Sequence, residues 1–189
     1  MDRGPWDEDP RGLGLVLDAE RGSLPYALIH GESLVACAAW ALGEAGVDLV
    51  DASVPWAGLA ESGEDVVLHD ALCPMTPPAF IHACLELARE TGRPVVGVRP
   101  VTDTIKVVSV GLVGETVARD GLISIASPLV IPAAVAASLA PPGHDLGRVV
   151  ADLAAAGHRV ETLEAPSQGR RVASVEAVRL LEALSDPRG

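Results

Sequence analysis

Carboxylates, guanidiniums and hydroxyls gather in three short stretches of this 189-residue chain, and each stretch follows a run of apolar residues. After residues 13–17 come Asp18, Glu20, Arg21 and Gly22; after 65–69 comes Asp70; after 94–99 come Thr102, Asp103, Thr104 and Lys106. Ligands of open α/β sheets bind beyond the carboxyl ends of the strands, so these three stretches could converge on one rim. Asp70 could hold Mg2+ together with ligand phosphates, since that hard cation takes oxygen ligands and only one or two protein carboxylates; a turn or helix cap is the alternative. His69 has no partner at metal-ligand spacing and reads as a core or hydrogen-bonding histidine.

Thr104 and Lys106 stand two apart, so in a strand they share a face and could grip a phosphate, or simply face water. Arg119, Arg170 and Arg171 are further anion-binding candidates or solvated surface arginines. Cys73 as a nucleophile would need a base, and His69 is the one basic residue near it in sequence. A phosphate-cradling loop needs glycines spaced as GxGxxG or GxxxxGK, whereas residues 18–26 hold only Gly22 and no lysine.

The elements that must position these groups follow from apolar periodicity and punctuation. Strands are expected at 13–17, 47–54, 65–69, 94–99, 122–126 and 159–163. Helices are expected at 32–45, from 76 to about 90, and at 132–139, 144–156 and 174–184. Thr76 is expected to cap the second of these by its hydroxyl, with proline in the first turn. Residues 101–119 alternate and are broken by Gly111 and Gly114 like a hairpin. Strands alternating with helices imply an α/β fold with a mostly parallel sheet covered on both faces. Residues 1–12, rich in Asp, Arg, Pro and Gly, read as a loose arm, and 13–189 as a single domain.

Composition narrows the function classes. The chain is 49% apolar and 21% charged, and at this length it buries roughly 70% of the surface exposed when unfolded, enough to need no staple. Fourteen basic residues against 26 acidic ones leave a net charge of −12, which disfavours nucleic acid as a partner. Lys106 is the only lysine, so an ammonium needed anywhere else must be replaced by arginine. Three cysteines without a CxxC pair, no signal-like start and no uninterrupted apolar span imply the cytoplasm and no membrane segment. The 101–119 hairpin is expected to reach a second copy and form a homodimer.

Three motifs carry a family resemblance. VLHDALCP at 67–74 resembles the VHDAARP motif of the methylerythritol phosphate cytidylyltransferases, enzymes of non-mevalonate isoprenoid synthesis. PVTDTIK at 100–106 is similar to their PVRDTMK segment, and TVARDGLISIASP at 116–128 to TVDRxGLWxAQTP. Weaker signals in register extend the resemblance over nearly the whole chain: the 13–17 strand, the His144–Asp145 pair and RRVASVEAV at 170–178. The resemblance implies a Rossmann-like α/β fold, a homodimer with a β-arm, and transfer of CMP from CTP to a polyol phosphate with Mg2+. Carried over by position, Asp70 would hold the metal, Asp103 and Thr104 the polyol phosphate, and Arg119 would reach that phosphate across the dimer. Asp145 would match an acidic residue of the nucleotide side, and Arg171 a lysine near the triphosphate.

The departures cluster in one loop. Where the family has AAGxGxRMGxxxPK, this chain has LDAERGSLPY at 17–26, with Asp18 and Glu20 in place of cradle residues and Tyr26 where lysine is expected. Cys73 replaces the arginine of the DAARP motif, and Leu129 the glutamine after the TP pair. The resemblance therefore implies either a nucleotidyltransferase with a rebuilt loop, using Arg21 and Arg171 for the missing lysines, or a weak or inactive homologue. In the second case the chain binds a small phosphorylated ligand or a protein partner. A purely structural dimer is the third reading.

Overall fold

The computed structural model describes residues 12–51, 53–101, 105–109, 112–117 and 122–185, with backbone pairing alone for the two strands between 105 and 117. In chain order the elements are β1 (Leu13–Leu17), β2 (Leu28–Ile29), β3 (Glu32–Ser33), α1 (Leu34–Glu44), β4 (Asp48–Leu49), α2 (Trp56–Glu61), β5 (Val66–Asp70) and α3 (Pro78–Thr91). There follow β6 (Val95–Pro100), β7 (Ile105–Ser109), β8 (Leu112–Val117), β9 (Ile123–Ile131), α4 (Ala133–Ala136), α5 (Leu146–Ala155), β10 (Glu161–Glu164) and α6 (Val175–Leu184).

Six strands form one sheet in the order β10-β6-β9-β5-β1-β4. β4 and β5 pair in parallel with β1, and β10 with β6; only β9 runs antiparallel, between β5 and β6. The sheet is therefore mostly parallel, as the alternating strands and helices require, and its central strand β5 is buried along its whole length, covered on both faces. Successive residues of β5 divide between the faces: Val67 joins α1 and α3 through Leu42, Ile81 and Leu85, while Val66 and Leu68 join α2, α4 and α5 through Leu59, Ala136 and Leu153. A third apolar cluster holds α6 over the end of β5, where Val178 and Leu181 meet Leu72, Ile29 and Leu34.

Several boundaries differ from the sequence expectation, each for a local reason. The 47–54 strand shrinks to two residues, because Ser53 N–H donates to Asp51 Oδ1 at 2.8 Å in a side-chain turn at the sheet edge, ahead of α2. α1 begins at Leu34 rather than at 32, capped by Ser33 Oγ; the residues before it close a small hairpin through His30 (φ 49°) and Gly31 (φ 86°). Thr76 does not cap α3: its hydroxyl donates to the Cys73 carbonyl at 2.9 Å, and the helix starts at Pro78. β9 runs on to Ile131 instead of ending at 126, and its pairing with β6 shifts register between Val96 and Val98, so Pro128, which has no N–H to give, sits opposite an irregularity. α2 was not expected at all; Trp56 anchors it by donating to the Leu139 carbonyl at 2.9 Å.

The 101–119 segment does form a hairpin, β7 with β8, as a two-stranded sheet separate from the main one. Asp103, Thr104 and Arg119 lie outside the described residues, as does nearly all of the expected N-terminal arm. Among the described residues no helix is long and apolar enough to cross a membrane.

Candidate functional site

Asp70 ends β5, in the middle of the sheet, and its side chain is only 4% exposed. The protein surrounds this carboxylate with donors. Leu72 N–H donates to Oδ1 at 2.9 Å, Arg171 Nε lies 2.9 Å from Oδ2, and Arg21 Nη2 lies 3.1 Å from the same oxygen. The Asp70 main-chain N–H donates to Ser127 Oγ at 2.9 Å. Ser127 is held there by the close approach of β6 and β9: a Cβ on Gly97 would lie 2.8 Å from the Ser127 carbonyl oxygen, so glycine alone fits.

Each arginine has its own positioning device. Arg21 lies between Glu20 and Gly22, both with φ of +61°, in a turn that folds the guanidinium back under β5. Its Nη2 also donates to the His144 carbonyl at 2.7 Å, and its Nε is buried with no hydrogen-bond partner. Arg171 is brought in by the neighbouring backbone, where Val172 N–H donates to the Leu72 carbonyl at 2.8 Å and ties the segment before α6 to the chain after β5. Asp145 caps α5, its Oδ1 accepting from Arg148 N–H at 2.9 Å. It joins Asp70, Ala126, Gly147 and Arg171 around a cavity of about 170 Å³.

Four of the residues singled out in the sequence, Arg21, Asp70, Asp145 and Arg171, thus meet at one rim although they are spread over the whole chain. Arg170 turns away and donates to the Ser167 carbonyl at 3.1 Å. His69 is fully buried and shares a hydrogen bond with Ser127 Oγ; burial holds its pKa down to about 4, against a smaller opposing pull from Asp70. It is the neutral core histidine that its isolation in the sequence suggested. Cys73 is fully buried, and burial pushes its thiol well above the ordinary range. No thiolate is available there, which removes the nucleophile reading. Ser127 and the His144 carbonyl were not foreseen; the small side chain beside a proline gives no sign of its burial, and a main-chain acceptor leaves no mark in a sequence.

The loop expected to cradle phosphates is built differently. Its few residues include a single 3-10 turn at Leu24–Tyr26, and the Tyr26 hydroxyl donates to Asp18 Oδ2 at 3.0 Å. That bond to a carboxylate raises the phenol pKa, so Tyr26 stays protonated. The loop therefore offers acidic side chains where a run of backbone N–H groups and an ammonium would bind a triphosphate.

A divalent cation does not fit Asp70 in this arrangement. One of its oxygens accepts a main-chain N–H and the other faces two guanidiniums, so Mg2+ would meet fixed positive charge where it needs oxygen ligands. Among the described residues no group of three His, Cys, Asp or Glu side chains is placed to hold a metal. A larger hollow of about 690 Å³ lies elsewhere, between α1 and the start of α3, lined mainly by apolar groups such as Trp40, Met75 and Pro77. It contains none of the four convergent residues.

Comparison with known proteins points to one family. Residues 46–170 match the family model of 2-C-methyl-D-erythritol 4-phosphate cytidylyltransferase. A protein of that name from Syntrophotalea carbinolica is 39% identical over 69 residues, and the match spans 36% of this chain and 29% of that relative's length. Among solved structures, the 2-C-methyl-D-erythritol 4-phosphate cytidylyltransferase of Thermus thermophilus superposes with a TM-score of 0.69 at 20% identity, over 92% of this chain and 97% of that one. The 4-diphosphocytidyl-2C-methyl-D-erythritol synthase of Anaerococcus prevotii gives 0.67 at 13% identity, over 93% and 99%. At these identities the structural likeness speaks for the fold.

Proposed function

This chain belongs to the 2-C-methyl-D-erythritol 4-phosphate cytidylyltransferase family, and from that membership we propose that it is a member whose cytidylyl transfer is weak or lost while its phosphate-binding end survives. The observation that carries the reading is the contrast around Arg21. The one cation of the loop is turned inward onto Asp70, while Asp18 and Glu20 occupy the stretch that should wrap a triphosphate. Phosphoryl transfer depends on donors preorganised around the transferring group, and each one missing costs on the order of 100- to 1000-fold in rate. Several are missing together here.

In this reading Arg171, which keeps 39% of its side chain exposed and lines the cavity beside Asp70, faces the anionic part of a small phosphorylated ligand. Asp103, Thr104 and Arg119 complete the polyol-phosphate side, Arg119 from a second copy whose β7–β8 arm crosses over. The protein works in the cytoplasm as a homodimer. Pyrophosphate release from CTP and methylerythritol phosphate tests it. Turnover at least ~1000-fold below that of a family member with an intact loop is expected, and turnover within tenfold of such an enzyme would refute it. Sedimentation at micromolar concentration should give a dimer; a monomer would remove the crossing arm from the proposal.

A further inference from the structure

On the face of the sheet that carries α2, α4 and α5, a groove of about 690 Å³ runs between α2 and the segment that begins with α4. Trp56, Ala57 and Ala60 form one wall, and Ala134, Ala137 and Leu139 the other. Glu61 is the one charged group among the described residues that line it. α2 has only six residues and fully buries just Leu59. A helix that short is held by tertiary packing rather than by its own hydrogen bonds.

The point at which the N-terminal residues reach this groove is fixed by contacts around Asp65. Leu13 N–H donates to the Asp65 carbonyl at 2.8 Å, and Ala133 N–H, at the start of α4, donates to Asp65 Oδ1 at 3.1 Å. The backbone of Gly12 passes so close that a Cβ there would lie 2.6 Å from the same carbonyl oxygen. Gly63, two residues before Asp65, lines the groove together with Ala133. Residue 12 therefore stands beside the Gly63–Ala133 end of the groove. The eleven residues ahead of it are mostly charged residues, proline and glycine, and Trp6 is their one aromatic. Six residues of extended chain reach up to about 20 Å, whereas the six residues of α2 span about 9 Å. Trp6 thus has chain enough to reach any part of the groove.

We propose that Trp6 tethers the N-terminal arm to the body of the same chain by lying in the groove between α2 and α4. Alanine walls leave room for an indole, which has roughly 150–250 Å² to bury. The charged residues on either side of Trp6 stay in water, so the arm is held at one point. The tether gives α2 the apolar partner that its own length does not supply. It does not depend on whether cytidylyl transfer survives, because the groove adjoins the start of β5 and Asp70 stands at its end.

Fluorine NMR on the full chain labelled with 5-fluorotryptophan tests this. Three signals are expected, for Trp6, Trp40 and Trp56; Trp6→Phe and Trp40→Phe assign them. Trp40 is 62% exposed and serves as the reference for a solvated ring. A soluble gadolinium chelate should broaden the Trp6 signal several-fold less than that of Trp40. Ala57→Glu puts a carboxylate on the groove wall at an exposed helix position. It should raise the broadening of Trp6 to that of Trp40 and leave Trp40 unchanged. Should that variant fail to fold, Ala137→Glu on the opposite wall makes the same test. Equal broadening of Trp6 and Trp40 in the parent chain would overturn the tether, and so would a Trp6 that stays protected in a folded groove variant. Protection that disappears on dilution would put the arm of a second copy in the groove and equally overturn a tether within one chain.

Discussion

The end of β5 and the loop after β1 sit side by side, and they have gone opposite ways. At the strand end, charge is buried, paired and tied to the backbone at several points: Asp70 accepts from Leu72 N–H, Arg21 and Arg171, and its own N–H is taken by Ser127. In the loop, apart from Arg21, which joins that cluster, the charge is the acidic pair Asp18 and Glu20, and a surface hydrogen bond from Tyr26 holds Asp18. Buried charge must be matched or the fold pays for it, whereas solvated charge drifts freely under substitution. Substitutions are therefore tolerated more readily in the exposed part of the loop than in the buried ionic cluster beside it.

The largest effect that would sharpen this contrast is on stability. Asp70→Ala leaves a buried guanidinium without its counter-charge and is expected to cost about 3 kcal/mol in denaturant unfolding. Asp18→Ala in the loop is expected to cost under about 0.5 kcal/mol. Equal losses at the two positions would erase the distinction.

Next in size is a dependence on pH centred on His69. Its pKa falls from 6.5 in the unfolded chain to about 4 in the fold, so below 6.5 the unfolded state binds the proton first. The stability contributed by the neutral ring is complete above that pH, declines between 6.5 and 4, and is lost by about 4. The whole swing is of order 3 kcal/mol. Denaturant midpoints measured across pH 7 to 4 should fall more steeply for the parent chain than for His69→Gln, and parallel curves would count against a buried neutral histidine.

The smallest effect is expected at Tyr26→Phe, where loss of an exposed hydrogen bond should change stability by under about 0.5 kcal/mol. Its unfolding curve should overlay that of the parent. A clear shift would mean that the loop is held more tightly than its single bond implies.

Much of this was legible in the residues. Apolar runs of strand length placed β1, β5 and β6 to within a residue or so, and the alternation around Gly111 marked a hairpin, because side-chain period and turn residues are local properties. The three motifs around Asp70, Asp103 and residues 116–128 carried the family. Edges were less legible. Whether residues 50–54 continue a strand depends on a partner strand to bond with, and the register shift of β9 depends on both of its neighbours.

The sequence by itself determined that the chain would fold as a covered, mostly parallel sheet, that Lys106 is its only lysine, and that residues 18–26 hold a single glycine and no lysine. These follow from residue type and short-range spacing. Only the tertiary structure decided what Arg21 does. Nothing within the LDAERGSLPY stretch distinguishes a guanidinium reaching for a ligand from one folded back onto a carboxylate 49 positions later, beside a second arginine 101 positions beyond that carboxylate. Charge pairing inside a protein is set by distances through space between distant segments, and those exist only once the sheet has brought the strand ends together.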